Sequence, residues 1–380
     1  MTSDDRKQAR YNRRVLKRKS AFNITYDQIF SHKNLYESMR KCMLSVGWKP
    51  SIQRYKNHVI SNVTKLYNTL HKRKFKSKGF YEFKIVERGK TRHIKSVNIE
   101  ERVVQRCFCD YALVPTIMPK LIYDNAACLE GRGYDFSIDR ITKHLSEFYK
   151  KNGSNGWILQ FDISKYFESI PHDKMIAAVS KVFTDKDIIK LYTELVHNMG
   201  DGVGLGLGSQ ISQISAVYYL NPLDHYLKDN LKIKYYGRYM DDAYIISNNK
   251  EALFKYLEDI KRILNELGLS LSDKKTSITK LTKGFTYLKT RFSYGENGKI
   301  IKKPYKKSIV IMRRKIKSFA LKLERGEMTY ADAYASYQSW CGYMKRFNSH
   351  ETLIKMQELF QEEIADDYLP IPSDFEWETQ

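Results

Sequence analysis

Between residues 80 and 97 apolar and polar side chains alternate, as FYEFKIV and then TRHIKSV, around Glu87-Arg88-Gly89-Lys90. A period of two marks strands with two unlike faces, and the glycine-bearing break predicts a β-hairpin with a basic tip. Upstream, residues 26–74 show helical spacing interrupted only at Gly47 and Pro50, and end in a basic run from His71 to Lys78. Downstream, the spacing predicts a long helix over roughly 99–118, stopped near Pro115 and Pro119, and another over 136–151, closed by Asn152-Gly153. The short apolar run WILQFDI at 157–163 predicts a buried strand. Helical spacing over 172–198 leads to a glycine cluster from Gly200 to Gln210 and a further helix to about 229. Residues 233–247 read as strand–turn–strand with the turn at Met240-Asp241-Asp242, and a helix at about 250–267 ends at Gly268. Strands at 285–293 and 299–302 flank a turn at Gly295 to Gly298, and 306–365 is mainly helical. This order implies an α+β fold, a sheet with helices on one face. No internal repeat or low-complexity linker interrupts it, so one continuous, multi-lobed unit is expected.

Charge narrows the choice of partner. The 380 residues carry 66 Lys plus Arg against 43 Asp plus Glu, a net +23 that exceeds what solubility requires. Such an excess points to a polyanion, nucleic acid before an acidic membrane. The segment Arg6 to Lys19 is a basic arm suited to phosphates, or a solvated tail. The stretch from about Glu358 is acidic. Aromatic residues (28 Tyr, 18 Phe, 4 Trp) offer stacking surfaces, although most belong in a core. Cys42, Cys107, Cys109, Cys128 and Cys341 are an odd, scattered set without zinc spacing. With no long apolar run and no signal peptide, a soluble cytoplasmic protein without a membrane is expected.

The chemistry concentrates in two places. Asp241 and Asp242 are adjacent carboxylates inside an apolar hairpin, where they repel each other and lose hydration. A hard divalent cation such as magnesium relieves both costs; an ordinary surface turn is the plainer alternative. Asp162 ends the strand WILQFDI. A strand-end carboxylate beside a hairpin bearing two more is the layout of a two-metal site. As a helix N-cap, Asp162 alone would be explained, but not the pair.

Several ordered motifs around these residues resemble those of bacterial reverse transcriptases. Phe161-Asp162-Ile163-Ser164-Lys165-Tyr166-Phe167 and the Glu168-Ser169-Ile170-Pro171-His172 that follows resemble motif A. Gly206 to Gln213 resembles motif B, and Tyr239-Met240-Asp241-Asp242 with the preceding Arg238 resembles motif C. Leu269 to Thr276 looks like motif D, and Phe285-Thr286-Tyr287-Leu288 like the primer-grip strand. The likeness extends over roughly 80–345, through Arg102-Val103-Val104-Gln105 and Tyr123 to Cys128, and ends at Tyr337 to Lys345.

The resemblance implies a right-hand polymerase with an antiparallel palm sheet. Fingers and palm would fill 80–305, a helical thumb and acidic tail 306–380, and a basic helical extension 1–79. It implies that Asp162, Asp241, Asp242 and the Ile163 carbonyl hold two Mg2+ ions. Phe167 would be a steric gate against a ribose 2′-hydroxyl, unless it is simply core. Arg92, Lys84 and Lys90 would hold the triphosphate. Gly208, Ser212 and Gln213 would approach nucleotide and template, and Lys275 would be a general acid or a plain solvated lysine. Leu207 and Gln213 depart from the common pattern. The Gly208-to-Gln213 spacing is similar to that of diversity-generating and defence-associated bacterial enzymes.

The expected function is an RNA-directed DNA polymerase with a dedicated, noncoding RNA template, dNTPs as substrates and a DNA product, in a bacterial or phage retroelement or antiphage defence system. A mutagenic diversity-generating enzyme, an RNA-templated RNA polymerase and a non-catalytic RNA-binding scaffold are the alternatives. An oligomer is compatible with all of these.

Overall fold

The computed structural model describes residues 24–365 apart from Ser45, Arg88, Gly89 and Leu207, and the backbone but not the side chains of Glu87, Lys90, Arg92 and Ala365. The basic arm Arg6 to Lys19 and most of the acidic tail lie outside the described residues. The chain divides into two compact units, one of residues 1–141, 159–245 and 250–277, the other of 142–158, 246–249 and 278–380.

The first unit opens with a helical turn, Tyr26–Ile29, and helices α1 (His32–Met43), α2 (Pro50–Asn57) and α3 (Val59–His71). Ser31 caps α1 by accepting from Asn34 N–H, and Leu35 and Met39, four apart, turn inward. The end of this region is fastened by Arg73, which donates to Asp27 at 2.7 Å and Asp187 at 2.8 Å and lies over the Tyr26 ring.

The hairpin follows as predicted. β1 (Tyr81–Glu87) pairs antiparallel with β2 (Lys90–Ser96), in a register that sets Lys84 opposite His93 and Ile85 opposite Arg92. It is a two-stranded sheet of its own, and Tyr81, Phe83, Ile85 and Val86 stay exposed. Helix α4 (Ile99–Phe108) is capped by Asn98 and buries Val103, Val104, Cys107 and Phe108. The helical path, expected to stop near Pro115 and Pro119, runs on through a π-helical turn, Cys109–Leu113, into a helical turn at Val114–Ile117. Proline lacks an N–H and crowds the carbonyl four residues back, so the wider turn lets the helical path continue.

After α5 (Tyr134–Asn152) and β3 (Trp157–Phe161), the single helix expected over 172–198 is two, α6 (His172–Ser180) and α7 (Lys186–His197). Asp185 makes the break: its carboxylate caps α7 at Asp187 N–H and Ile188 N–H and also accepts from Tyr26 N–H. Helix α8 (Gln210–Tyr219), β4 (Tyr236–Tyr239), β5 (Asp242–Ser247), α9 (Lys250–Glu266) and β6 (Ser277–Lys280) follow. The sheet order is β4-β5-β3-β6, with β4 and β5 antiparallel. Gly268, at φ +76°, is obligatory: a Cβ there would stand 2.8 Å from Pro171.

The second unit holds an antiparallel meander, β7 (Phe285–Tyr287), β8 (Thr290–Tyr294) and β9 (Ile300–Pro304). One strand was expected over 285–293. The chain instead reverses at Leu288 and Lys289, both at positive φ, without the glycine or asparagine that announces such a turn. Helices α10 (Lys306–Glu324), α11 (Tyr330–Met344) and α12 (His350–Phe360) enclose Ile316, Phe319, Tyr337, Met344, Met356 and Phe360, with Tyr337 stacked on Phe360. All five cysteines are free thiols. Among the described residues no helix is long and apolar enough to cross a membrane.

Candidate active site

Asp162 leaves the end of β3, and the Asp241-Asp242 pair sits at the β4–β5 turn. Because β3 and β5 are neighbours in the sheet, the three carboxylates meet at one end of it. Asp162 is buried and the other two are half-buried. Its main chain is fixed by residues 270–272: Ser272 N–H donates to Asp162 O at 2.8 Å, and Ser164 N–H to Ser270 O at 2.9 Å. Those two bonds flank Ile163, which bridges Leu271, so the Ile163 carbonyl is not taken up by that pairing.

The turn is held from behind. Met240 adopts φ +56°, a left-handed conformation that costs a residue with a side chain about 1–2 kcal/mol. Arg238, 1% exposed, donates to Met240 O at 2.8 Å and to Val217 O at 2.9 Å. It also makes a fork to both oxygens of Asp224, at 2.8 and 2.5 Å. Tyr236 completes the group by donating to Asp224 Oδ1 at 2.6 Å. A fully buried ion pair therefore braces the strained turn that presents the two carboxylates.

The electrostatics are those of crowded acids. Burial first, and the neighbouring Asp162 second, raise the Asp241 pKa. Burial, then the charges of Asp241 and Asp162, push Asp242 up to about 6. Lys275, in the turn Asp273–Lys275, donates to Asp162 Oδ2 at 2.7 Å, and that bond raises its own pKa. Among the described residues no three His, Cys, Asp or Glu side chains enclose an ion by themselves. The donor chemistry nonetheless fits a hard cation. The carboxylates are short of positive charge, an ammonium already lies against one of them, and water or phosphate oxygens are the usual remaining ligands of magnesium.

A raised carboxyl pKa means that the folded state holds the proton more tightly than the unfolded chain. The associated stability is full below pH 4 and is lost as pH rises to about 6. Asp242→Asn should therefore stabilise the metal-free protein at pH 7.5 by about 1–2 kcal/mol and gain nothing below pH 4, as read from thermal melts in EDTA. Equal melting of variant and wild type at pH 7.5 would show that the acids are not in conflict.

The glycine loop is drawn to this end of the sheet. Leu205 N–H donates to Phe167 O at 2.7 Å, Gly204 N–H to Ile170 O at 2.9 Å, and His172 Nε2 to Gly204 O at 2.7 Å. Gly208, at φ +109°, passes β2 so closely that a Cβ would stand 3.2 Å from Lys95 O. The half-buried Phe167 ring packs edge-on against Tyr166, whose hydroxyl donates to Ala216 O at 2.5 Å. The expected substrate residues separate here. Phe167 and Gly208 border the loop, Gln213 is exposed, and Lys84 is exposed on the hairpin. Ser212 is fully buried, and its hydroxyl contacts Met199 Sδ at 3.2 Å. Lys90 and Arg92 lie on β2 by their backbones, and their side chains lie outside the described residues. The Asp224 partner of Arg238 was missed. Its setting, Asn221-Pro222-Leu223-Asp224-His225, carries no motif that would single it out.

A family model described as reverse transcriptase (RNA-dependent DNA polymerase) matches residues 82–292. The putative COX1/OXI3 intron 1 protein of Saccharomyces cerevisiae is 23% identical over 279 residues, 57% of this chain and 32% of that protein. An uncharacterised 91 kDa protein in a cob intron of Schizosaccharomyces pombe is 38% identical over 88 residues, 21% of this chain and 11% of the relative. The chain thus spans about a third or less of the length of these relatives. Among solved structures, apo telomerase from Candida tropicalis superposes with TM-score 0.46 at 14% identity, over 60% of this chain and 49% of that one. Telomerase from Candida albicans with a fragment of telomeric RNA gives 0.45 at 10% identity, over 81% and 60%.

Proposed function

The chain belongs to the reverse transcriptase family, and on that premise we propose that it is an RNA-directed DNA polymerase whose catalytic residues are Asp162, Asp241 and Asp242. The observation that carries the reading is the meeting of these three carboxylates at one end of the sheet, braced by Arg238. The fold is the right hand of that family, in which 80–305 supply fingers and palm, 306–380 the thumb and tail, and 1–79 an extension.

Asp162, Asp241, Asp242 and the Ile163 carbonyl would hold two magnesium ions, which when bound activate a primer 3′-hydroxyl and neutralise phosphate charge. The protein's own part is positional. Arg238 fixes the turn, residues 270–272 fix Asp162, and the glycine loop fixes Phe167. Lys84, Lys90 and Arg92 would supply the positive charge that holds a triphosphate. Lys275 can pass a proton to departing pyrophosphate only after its bond to Asp162 loosens, because that bond strengthens its hold on the proton.

Phe167→Ala should lower discrimination against ribonucleotides by about 10- to 100-fold, measured as the ratio of dNTP to rNTP incorporation efficiency. Unchanged discrimination would return Phe167 to the core. A net +23 supports a nucleic-acid hybrid held through phosphates and shape, with binding that weakens steeply as salt rises.

The finer setting is a retroelement with a dedicated noncoding RNA template. The Gly208-to-Gln213 spacing favours bacterial or phage retroelements and defence systems, while the named relatives are intron proteins of yeasts. The test is to purify the protein with its accompanying RNA and add magnesium and labelled dNTPs. DNase-sensitive product complementary to that RNA establishes the activity and names the template. RNA bound but no product, across RNA and DNA primers, overturns the reading.

A further inference from the structure

Ser209 stands at the N-cap of α8 in an extended conformation, yet its side chain makes no capping bond. Serine is among the preferred residues at that position because its oxygen accepts a free N–H of the first turn. Here the hydroxyl is used elsewhere: Ser209 Oγ donates to Gln105 Oε1 at 2.8 Å. Gln105 Nε2 donates to Glu101 Oε1 at 3.2 Å. The other oxygen of Glu101 accepts from Ser77 Oγ at 2.7 Å and from Lys78 N–H at 3.3 Å. Glu101, Gln105 and Ser209 are each at most 2% exposed.

This relay has one possible polarity. The Glu101 carboxylate can only accept, so it draws the Gln105 Nε2 and leaves Oε1 facing Ser209, whose hydroxyl, able to donate or accept, donates here. It is not needed to start α4, which Asn98 already caps. Nor is it an economical way to fill a core, where apolar side chains of similar volume avoid the cost of burying a carboxyl group.

What the relay does is place Ser209, the residue after Gly208. Gly206 and Gly208 pass close to β2: a Cβ would lie 3.3 Å from the Lys95 side chain and 3.2 Å from Lys95 O respectively, tight contacts that a larger residue would have to push apart. The other end of the loop is tied to Phe167 and Ile170. The glycine loop is thus anchored at two ends, one on the gate segment and one on α4. The α4 anchor continues to Ser77, just before the hairpin, whose own N–H donates to Glu194 at 3.1 Å.

We propose that Glu101 and Gln105 are positioning residues that set the backbone at Gly208 and Ser209 for nucleotide binding, and that Ser77 couples the segment before β1 to the same loop. The kinetic form of the proposal rests on the polymerase reading above. No contact between the relay and the nucleotide is required; the relay acts through Ser209.

The test uses the full chain with Ser209→Ala, Ser209→Thr, Ser77→Ala and the Ser77→Ala/Ser209→Ala double variant. Loss of one buried hydrogen bond in Ser209→Ala should raise KM for dNTP about five- to tenfold, with kcat and RNA–primer affinity within about twofold. Ser209→Thr, which keeps the hydroxyl, should restore KM. Ser77→Ala should raise it about three- to fivefold, and the double variant should be no worse than Ser209→Ala alone, the signature of a shared path. Hydrogen exchange is the second readout: amides of 204–209 should lose protection in Ser209→Ala and Ser77→Ala while those of α9 keep theirs. Additive KM effects, or a loop whose exchange and KM are both unchanged, overturn the relay. Wild type that incorporates no dNTP overturns the polymerase reading instead, and exchange then decides the relay alone.

Discussion

Asp241→Asn should lower single-turnover dNTP incorporation by at least about 10³-fold while RNA affinity stays within about twofold. Asparagine keeps the shape of the side chain, and the Arg238 brace to Met240 O does not involve it. What disappears is one negative charge in a cluster that burial and neighbouring acids already hold under strain. Asp162→Asn should match it in rate, with one further effect. Lys275 loses the carboxylate that raises its pKa, so its affinity for a proton should fall. Single-turnover kinetics beside filter binding separate chemistry from binding. An Asp241→Asn enzyme with more than about a tenth of wild-type rate would place the chemistry elsewhere.

Arg238→Met should destabilise the protein by about 3–5 kcal/mol, because it leaves the Asp224 carboxylate buried without its partner. In a unit of this size that corresponds to a melting temperature lower by about 10 °C or more. Arg238→Lys keeps the charge but not the fork, which here serves Asp224, Met240 O and Val217 O together. It should recover part of the stability and little of the activity, since the left-handed Met240 loses its brace. Asp224→Asn should cost less than Arg238→Met, because the amide oxygen still accepts from the guanidinium and from Tyr236. Circular-dichroism melts and incorporation assays on the three variants read both effects. Melting of Arg238→Met within about 2 °C of wild type would mean that Asp224 finds another partner.

The parts legible in the sequence are those whose pattern is local. Alternation over 80–97 located the hairpin, and an apolar run ending in an acid located β3 and Asp162. Adjacent aspartates between apolar flanks located the β4–β5 turn. The parts that were hidden depend on distant partners. Asp185 breaks a helical pattern partly because Tyr26 N–H comes to it from far upstream. Leu288 and Lys289 turn a chain that carries no turn residues. The hydroxyl of Ser212 looked available beside glycines, and only the packing of Met199 shows that it is enclosed. Asp224 and Gln105 have no motif of their own, and their partners at 238 and 209 lie on other elements.

The hairpin β1–β2 has a consequence for handling the protein. The two-stranded ribbon belongs to no larger sheet, so among the described residues β1 has only β2 as a strand partner, and Tyr81, Phe83, Ile85 and Val86 add an exposed apolar surface. Open edges with apolar side chains are adhesive. Stripped of nucleic acid, the protein should lose colloidal stability at high concentration, first through strand-to-strand association at this ribbon. A preparation kept with its RNA, or one carrying Val86→Lys, should remain dispersed where the bare chain precipitates.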